Sequence, residues 1–280
     1  MPKPPFIELP DVEPIPILFE DRSVIAIDKP AGWMLVPHSW QRTGWNLQAA
    51  IVSSIAAGHF WARSRNLKFL RYVHRLDADT SGVLLLAKSF GAVETIGELF
   101  ENRRIEKRYL AVVHGQPGKA EWTCRLPLGP DPQMIGRIRV DEREGKESET
   151  SFRVLQVKRD FALVEARPIT GRQHQIRVHL HATGHAILGD PLYGPSALES
   201  PKLRPMLALR SVELAYRDPF TKRPVRILAP TEQWMKDYGF AATAPAAAPP
   251  TAAKPASLPA RADAGKRPSP RKDGPPPTRS

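Results

Sequence analysis

The composition of the chain breaks after Phe240. From Ala241 to Ser280 it is dominated by Ala, Pro, Lys and Arg, and Leu258 is its only large apolar side chain. Such a segment cannot bury enough apolar surface to offset the entropy of ordering its backbone. Residues 241–280 are therefore expected to be a disordered tail, and folding is confined to what precedes them. There, short apolar runs alternate with helical spacings, and turn residues separate them.

The net charge is +12 and the sequence pI is near 10.0. The tail holds seven Lys or Arg against two Asp, which gives it +5 and leaves +7 on the body. A surface this basic favours polyanions, either nucleic acid or an anionic membrane, although charge carries no information on fold or chemistry. The single cysteine, Cys124, excludes an internal disulfide and any cluster of thiolate ligands. Met1 to Pro10 has no apolar stretch of the secretory kind, and the longest aliphatic run, Val83 to Ala87, is far too short to span a bilayer. A cytoplasmic protein without membrane contact is the expectation.

Val24 to Ile27 reads as a short buried strand closed by the turn Lys29-Pro30-Ala31-Gly32. Leu47, Ala50, Ile51 and Ile55 repeat at helical spacing, predicting a helix over 46–57. Val83 to Ala87 reads as a buried strand. Phe90, Val93, Ile96, Leu99 and Phe100 mark one face of a second helix. Lys107 to Gly115, Ser151 to Val157 and Phe161 to Ala166 read as strands, and Gln173 to Ala182 as a helix with Gly184 near its end. Val212 to Tyr216 and Val225 to Leu228 flank a hairpin-like loop at 218–222. There is no internal repeat. The sum is an α/β or α+β domain rich in antiparallel pairing.

Three polar segments carry chemistry. The first is His74-Arg75-Leu76-Asp77-Ala78-Asp79-Thr80-Ser81-Gly82, at the entrance to the strand 83–87. Any one of these residues is explained by a turn in which Asp and Thr bond backbone amides. The whole group, two acids with an arginine, an imidazole and two hydroxyls, points instead to catalytic groups held on a scaffold. The second is Thr170-Gly171-Arg172-Gln173-His174-Gln175-Ile176-Arg177-Val178-His179-Leu180. Arg177 is a permanent cation that can keep a neighbouring carboxylate ionised and oriented, and Arg172 could instead meet phosphate. Taken alone, this segment also fits a solvated basic helix face. His181 and His185 stand four apart on the predicted helix, but no acid lies between them and the HExxH pattern is absent, so no metal site is expected. The third is Lys107-Arg108-Tyr109-Leu110-Ala111-Val112-Val113-His114-Gly115. Strand alternation puts Tyr109 opposite Arg108 and Leu110, either in the core or free to stack on a base.

The ordered set HRLDADTSG, KRYLAVVHG, TGRQHQIRVHL and GHAILGDPLYG resembles the RluA family of pseudouridine synthases, and Asp28-Lys29-Pro30-Ala31-Gly32 matches the family's opening DKPAG. The resemblance runs from about Ile17 to Pro230. It implies an α+β pseudouridine synthase fold, a mixed, largely antiparallel bent sheet flanked by helices with a basic active-site cleft. It implies Asp77 as the catalytic aspartate, Tyr109 as the tyrosine that packs on the target base, and Arg177 as the arginine that pairs with Asp77. Arg75 matches the arginine that helps displace the target nucleotide, and Arg172 and His174 are expected RNA contacts. No cofactor and no metal are implied. The partner would be transfer RNA or large-subunit ribosomal RNA, and the protein a monomer.

The implied domain plan is an N-terminal extension over 1–14, a catalytic domain over 15–240 and the tail over 241–280. The small basic RNA-binding domain in front of some relatives is expected to be missing, so RNA selection would rest on the catalytic domain. Ala186 stands where proline is common, Arg210-Ser211 where His-Ala is frequent, and Asp218-Pro219 where His-Pro is frequent. These departures are expected to alter substrate contacts. Two rivals are weighed. Asp77-Ala78-Asp79-Thr80 fits the DxDxT pattern of haloacid-dehalogenase-type phosphatases, which expects an apolar strand before the motif and acids for magnesium downstream. A non-catalytic RNA binder would need no acid facing RNA phosphate.

Overall fold

A computed structural model describes residues 2–10, 12–35, 45–195 and 206–241. The tail beyond 241 therefore lies outside the described residues. In chain order the elements are β1 (Phe6–Ile7), β2 (Ile15–Glu20), β3 (Val24–Lys29), α1 (Leu47–Ala56), α2 (Phe60–Arg63), β4 (Arg71–Tyr72), β5 (Ser81–Ala87) and α3 (Phe90–Glu101). There follow β6 (Glu106–His114), β7 (Glu121–Cys124), β8 (Leu128–Pro130), β9 (Ile138–Val140), β10 (Thr150–Val157), β11 (Phe161–Pro168), α4 (Gln175–Ala182), β12 (Leu209–Arg217), β13 (Pro224–Leu228) and α5 (Glu232–Asp237). Among the described residues no helix is long and apolar enough to cross a membrane.

Eleven strands form one sheet in the order β1-β2-β3-β5-β12-β6-β11-β10-β7, with β13 on β12 and β4 on β5. Every pairing is antiparallel except β5 with β12, which run parallel. The fold is thus α+β and mostly antiparallel, as the sequence implied. Gly82 sits at the parallel junction with φ of 107°, and a Cβ there would lie 2.0 Å from the Ser211 carbonyl oxygen. Only glycine lets the two backbones meet at this point.

The central strands β3 and β5 are apolar on both faces, which is why they read as unbroken runs. Ile25, Ile27, Leu84 and Leu86 pack on one side with Leu47, Ile51 and Trp61 of α1 and α2. Val24, Ala26, Val83 and Leu85 pack on the other with Ile96 and Leu99 of α3. Each fully buried Leu or Ile here stabilises the sheet by roughly 1.5–3 kcal/mol. Helix α1 begins at the Asn46 cap, whose side chain accepts the Ala49 amide, and α3 begins at Ser89, which accepts that of Ala92.

Within the expected N-terminal extension, β1 pairs with β2, and Ile7 and Leu9 are buried in the same core as Trp61. Several expectations need correction. Phe90 does not belong to the buried face of α3. It is exposed and packs beside Phe69, ring centroids 4.4 Å apart. Helix α4 starts two residues later than expected, because His174 adopts left-handed backbone at φ of 51°. It ends at Ala182, so His181 and His185 share no helix and their spacing loses its meaning. Arg210 and Asp218 are not placed as substrate contacts. The buried Arg210 donates to Asp28 Oδ2 at 2.7 Å and to the Pro230 carbonyl at 3.0 Å. Asp218 accepts the amides of Phe220 and Thr221, closing the β12–β13 hairpin.

Candidate active site

A cleft of about 640 Å³ opens between the 74–80 loop, which joins β4 to β5, and the 170–177 segment that leads into α4. Its lining includes Arg75, Asp77, Tyr109, Arg172, His174 and Arg177. The structure therefore brings all six site residues read from the sequence into one cavity. Five cations, Arg75, Arg103, Lys107, Arg172 and Arg177, line it against the two carboxylates Asp77 and Glu101.

Asp77 is held from two directions. Arg177 NH1 donates to its Oδ2 at 3.0 Å, and the Asp77 side chain stays 23% exposed, open to the cleft. From below, the fully buried Lys29 at the end of β3 donates to the carbonyls of Pro30 at 3.0 Å, Ala78 at 2.7 Å and Thr80 at 2.9 Å. Three carbonyl acceptors match the three protons of an ammonium. Burial pulls this amine down to about 7, against the opposing pull of Asp79 and Asp77. Lys29 thus ties the loop carrying Asp77 to the sheet.

Arg177 is itself fixed. Asp190, whose side chain is wholly enclosed, accepts its Nε at 2.7 Å and its NH2 at 2.8 Å in a fork-to-fork pair. Asp190 Oδ1 also accepts the amides of Leu192 and Tyr193. Burial works against the charge of Arg177, but the Asp190 and Asp77 carboxylates outweigh it and raise its pKa. The sequence reading paired Arg177 with Asp77 alone. The tighter, deeper partner is Asp190, which lies within the GDPLYG motif.

Gln175 locks the turn before α4. Its Oε1 accepts the Thr170 hydroxyl at 2.7 Å and the Arg172 amide at 2.9 Å, and its Nε2 donates to the Glu149 carbonyl and Thr150 Oγ1, both at 2.9 Å. All four hydrogen-bonding positions of a primary amide are used. Lys107 adds a cross-tie, donating to the Thr170 carbonyl at 2.8 Å, and burial first, then Arg103, lower it to about 8. His179 is a core residue bonded to Thr150 and Ser148, so it faces no ligand.

Tyr109 follows the expected alternation. It lines the cleft, while Arg108 points to the opposite face and bonds Glu213 at 2.8 Å. The ring is 8% exposed, and burial pushes its phenol up to about 12, with the Asp77 charge adding to the rise. It is therefore a neutral aromatic surface in the wall of the cavity. Arg75 and Arg172 are exposed at the rim, and Arg172 is steadied by Nε on the Glu147 carbonyl at 3.0 Å. Among the described residues no three His, Cys, Asp or Glu side chains converge as metal ligands.

Of the residues missed from sequence, Lys29, Asp190 and Tyr193 stood inside the quoted DKPAG and GDPLYG motifs. Their roles needed partners far along the chain.

A carboxylate oriented by a clamped guanidinium, beside an aromatic wall and under a basic rim, can act on an uncharged ring presented by a polyanion. The family described as RNA pseudouridylate synthase matches residues 23–182, and the chain belongs to that family. Pseudouridylate synthase RPUSD2 of Homo sapiens is 39% identical over 185 residues, 66% of this chain and 32% of the human protein. Ribosomal large subunit pseudouridine synthase C of Pasteurella multocida (strain Pm70) is 35% identical over 225 residues, 79% of this chain and 65% of the relative. The chain thus spans a third to two thirds of these relatives. The solved structure of Human RNA Pseudouridylate Synthase Domain Containing 1 superposes with a TM-score of 0.63 at 25% identity, covering 80% of this chain and 86% of that one.

Proposed function

We propose that the protein is an RNA pseudouridine synthase with Asp77 as its catalytic residue. The reaction breaks the bond from ribose C1′ to uracil N1 and forms the bond from C1′ to C5. The proton on C5 leaves, and N1 gains one. The target base must leave its stack to be reached, at a cost of a few kcal/mol. The observation that carries the reading is the Asp77–Arg177 pair, 3.0 Å apart, at the open face of a cavity walled by Tyr109.

In this reading Tyr109 packs on the extruded uracil, and Asp77 serves as nucleophile or proton acceptor. Arg75, Arg172 and His174 meet the RNA around it. Large-subunit ribosomal RNA is the first substrate to test, since the Pasteurella relative is named for it, and transfer RNA is the second. The body acts as a monomer on cytoplasmic RNA without metal or cofactor, and the +5 tail adds sequence-independent affinity. The phosphatase rival loses support. The stretch before Asp77 is the two-residue β4 and a loop, and the one downstream acid of GDPLYG is consumed by Arg177.

Asp77→Asn tests the assignment. It keeps the shape but supplies no anionic nucleophile or base. Release of tritium from RNA labelled at C5 of uridine is expected to fall by a factor of about a thousand or more, within the range such groups contribute, while RNA binding persists. Retained release would overturn the role of Asp77.

A further inference from the structure

Arg177 takes only one oxygen of Asp77. The other, Oδ1, faces His174 Nε2 at 3.9 Å, too long for a direct hydrogen bond. The second ring nitrogen of His174, Nδ1, lies 2.9 Å from the hydroxyl of Tyr193. Tyr193 is 2% exposed, and its hydroxyl accepts the Ile138 amide of β9 at 2.9 Å.

A phenol has one proton and two acceptor positions. The Ile138 N–H fills one acceptor position. Among the described residues, His174 Nδ1 is the other polar atom within bonding reach of the hydroxyl. If the phenol donates to Nδ1, the imidazole carries its proton on Nε2 and points it at Asp77. If Nδ1–H donates instead, the buried phenol proton has no acceptor and the Nε2 lone pair faces a carboxylate. Both consequences are unfavourable. We infer that Tyr193 and His174 are positioning residues for Asp77: Tyr193 fixes His174 as the neutral Nε2–H tautomer, which supplies the second donor to the Asp77 carboxylate. A closing of about 1 Å brings Nε2 within bonding distance of Oδ1.

The charges around the ring fit this. Burial first lowers the pKa of His174, and Arg177 and Arg75 act the same way, against the opposing pull of Asp77 and Asp190. The ring is therefore neutral near pH 7, and a neutral ring has a tautomer to fix. Tyr193 also packs its ring against the Arg177 guanidinium, 5.1 Å from its centroid, so one side chain braces both groups that hold Asp77.

The inference rests on the proposed catalytic role of Asp77, but its first test does not. Nitrogen NMR of the full chain with labelled histidine reads the tautomer directly. His174→Asn identifies the signal, since Asn tolerates the left-handed backbone at φ of 51°. Wild-type His174 is expected as neutral Nε2–H at pH 7, and Tyr193→Phe as a mixture of tautomers. An imidazolium or an Nδ1–H ring in the wild type overturns the inference, whether or not Tyr193→Phe folds. In turnover of bulk cellular RNA labelled at C5 of uridine, Tyr193→Phe is expected to lower kcat about tenfold and leave KM within about twofold. A change confined to KM also overturns it. A wild type with the expected tautomer but no tritium release would instead sink the pseudouridine synthase reading alone.

Discussion

The floor of the cleft, taken with the buried Lys29 and Asp190 that back it, and its rim are built on opposite plans. On the floor Lys29, Asp190 and Arg177 are each bonded more than once. Lys29 meets three carbonyls, Asp190 meets Arg177 twice and two amides besides, and Arg177 joins Asp190 to Asp77. At the rim Arg75 and Arg172 stand in solvent. Under the proposed function, the contrast separates two tasks. A reacting carboxylate must be held within a fraction of an ångström, which takes redundant bonds in a dry setting. Recognition of a phosphate backbone needs positive charge near the strand and tolerates movement.

The largest effect beyond Asp77 itself is expected at Asp190. Asp190→Ala leaves the buried Arg177 without its fork partner and two amides without an acceptor. Losing one partner of a buried pair costs about 3–5 kcal/mol, which corresponds to a fall of roughly 10 °C in thermal midpoint for a body of this size. The rate should drop about a hundredfold as well, because Arg177 is then free to leave Asp77. Asp190→Asn, which keeps an oxygen for the amides, should recover much of the stability and little of the rate. If Asp190→Ala melts with the wild type, the floor is not held in the redundant way described.

Which of these residues the sequence revealed follows from the distance over which their partners act. The strands β3, β5, β6, β10 and β11 were legible because their apolar pattern is local, and so were α1 and α3. The short β1, β2, β4, β7, β8 and β9 were not, because two to six residues with mixed burial carry no period. That Asp77, Tyr109 and Arg177 would share one cavity was legible through the motif resemblance. The bonds of Lys29 were not, because its partners at Ala78 and Thr80 lie 49 and 51 residues away. Arg210 misled for the same reason. Its partner Asp28 is 182 residues distant, so a structural ion pair looked like an altered substrate contact.

A smaller effect is expected from acid, and it too falls on the floor. His74 Nε2 accepts the Leu85 amide at 3.1 Å, and the ring stacks on Phe100 with centroids 4.7 Å apart. Burial, and then the charge of Lys107, lower its pKa from 6.5 to about 3. Between those values the unfolded chain binds a proton that the folded chain refuses. The stabilisation is therefore full above pH 6.5 and drains away as pH falls toward 3. By pH 5 the loss from His74 is about 2 kcal/mol. Burial also lowers His174 and His179, which adds in the same direction. Thermal midpoints measured from pH 7 to pH 5 should decline, and less steeply in His74→Gln. An identical slope in the variant would assign the acid sensitivity elsewhere.

The smallest effect is expected at the rim, and it should differ in kind. Arg172 is exposed, and among the described residues its guanidinium bonds the Glu147 carbonyl, so Arg172→Ala removes little that the fold depends on. Surface changes of this sort usually stay within about 0.5 kcal/mol, and the thermal midpoint should hardly move. What should change is RNA affinity, by a fewfold, together with its dependence on salt. One lost phosphate contact makes the slope of log affinity against log salt shallower by about 0.7 for a single strand. The measurement is a binding titration of wild type and variant against one RNA at several salt concentrations. A shallower slope with an unchanged midpoint places Arg172 among the groups that attract the backbone. Parallel slopes with a lowered midpoint would place it with the floor, as a brace for the 170–175 turn, and the division between a rigid floor and a loose rim would then fail at this residue.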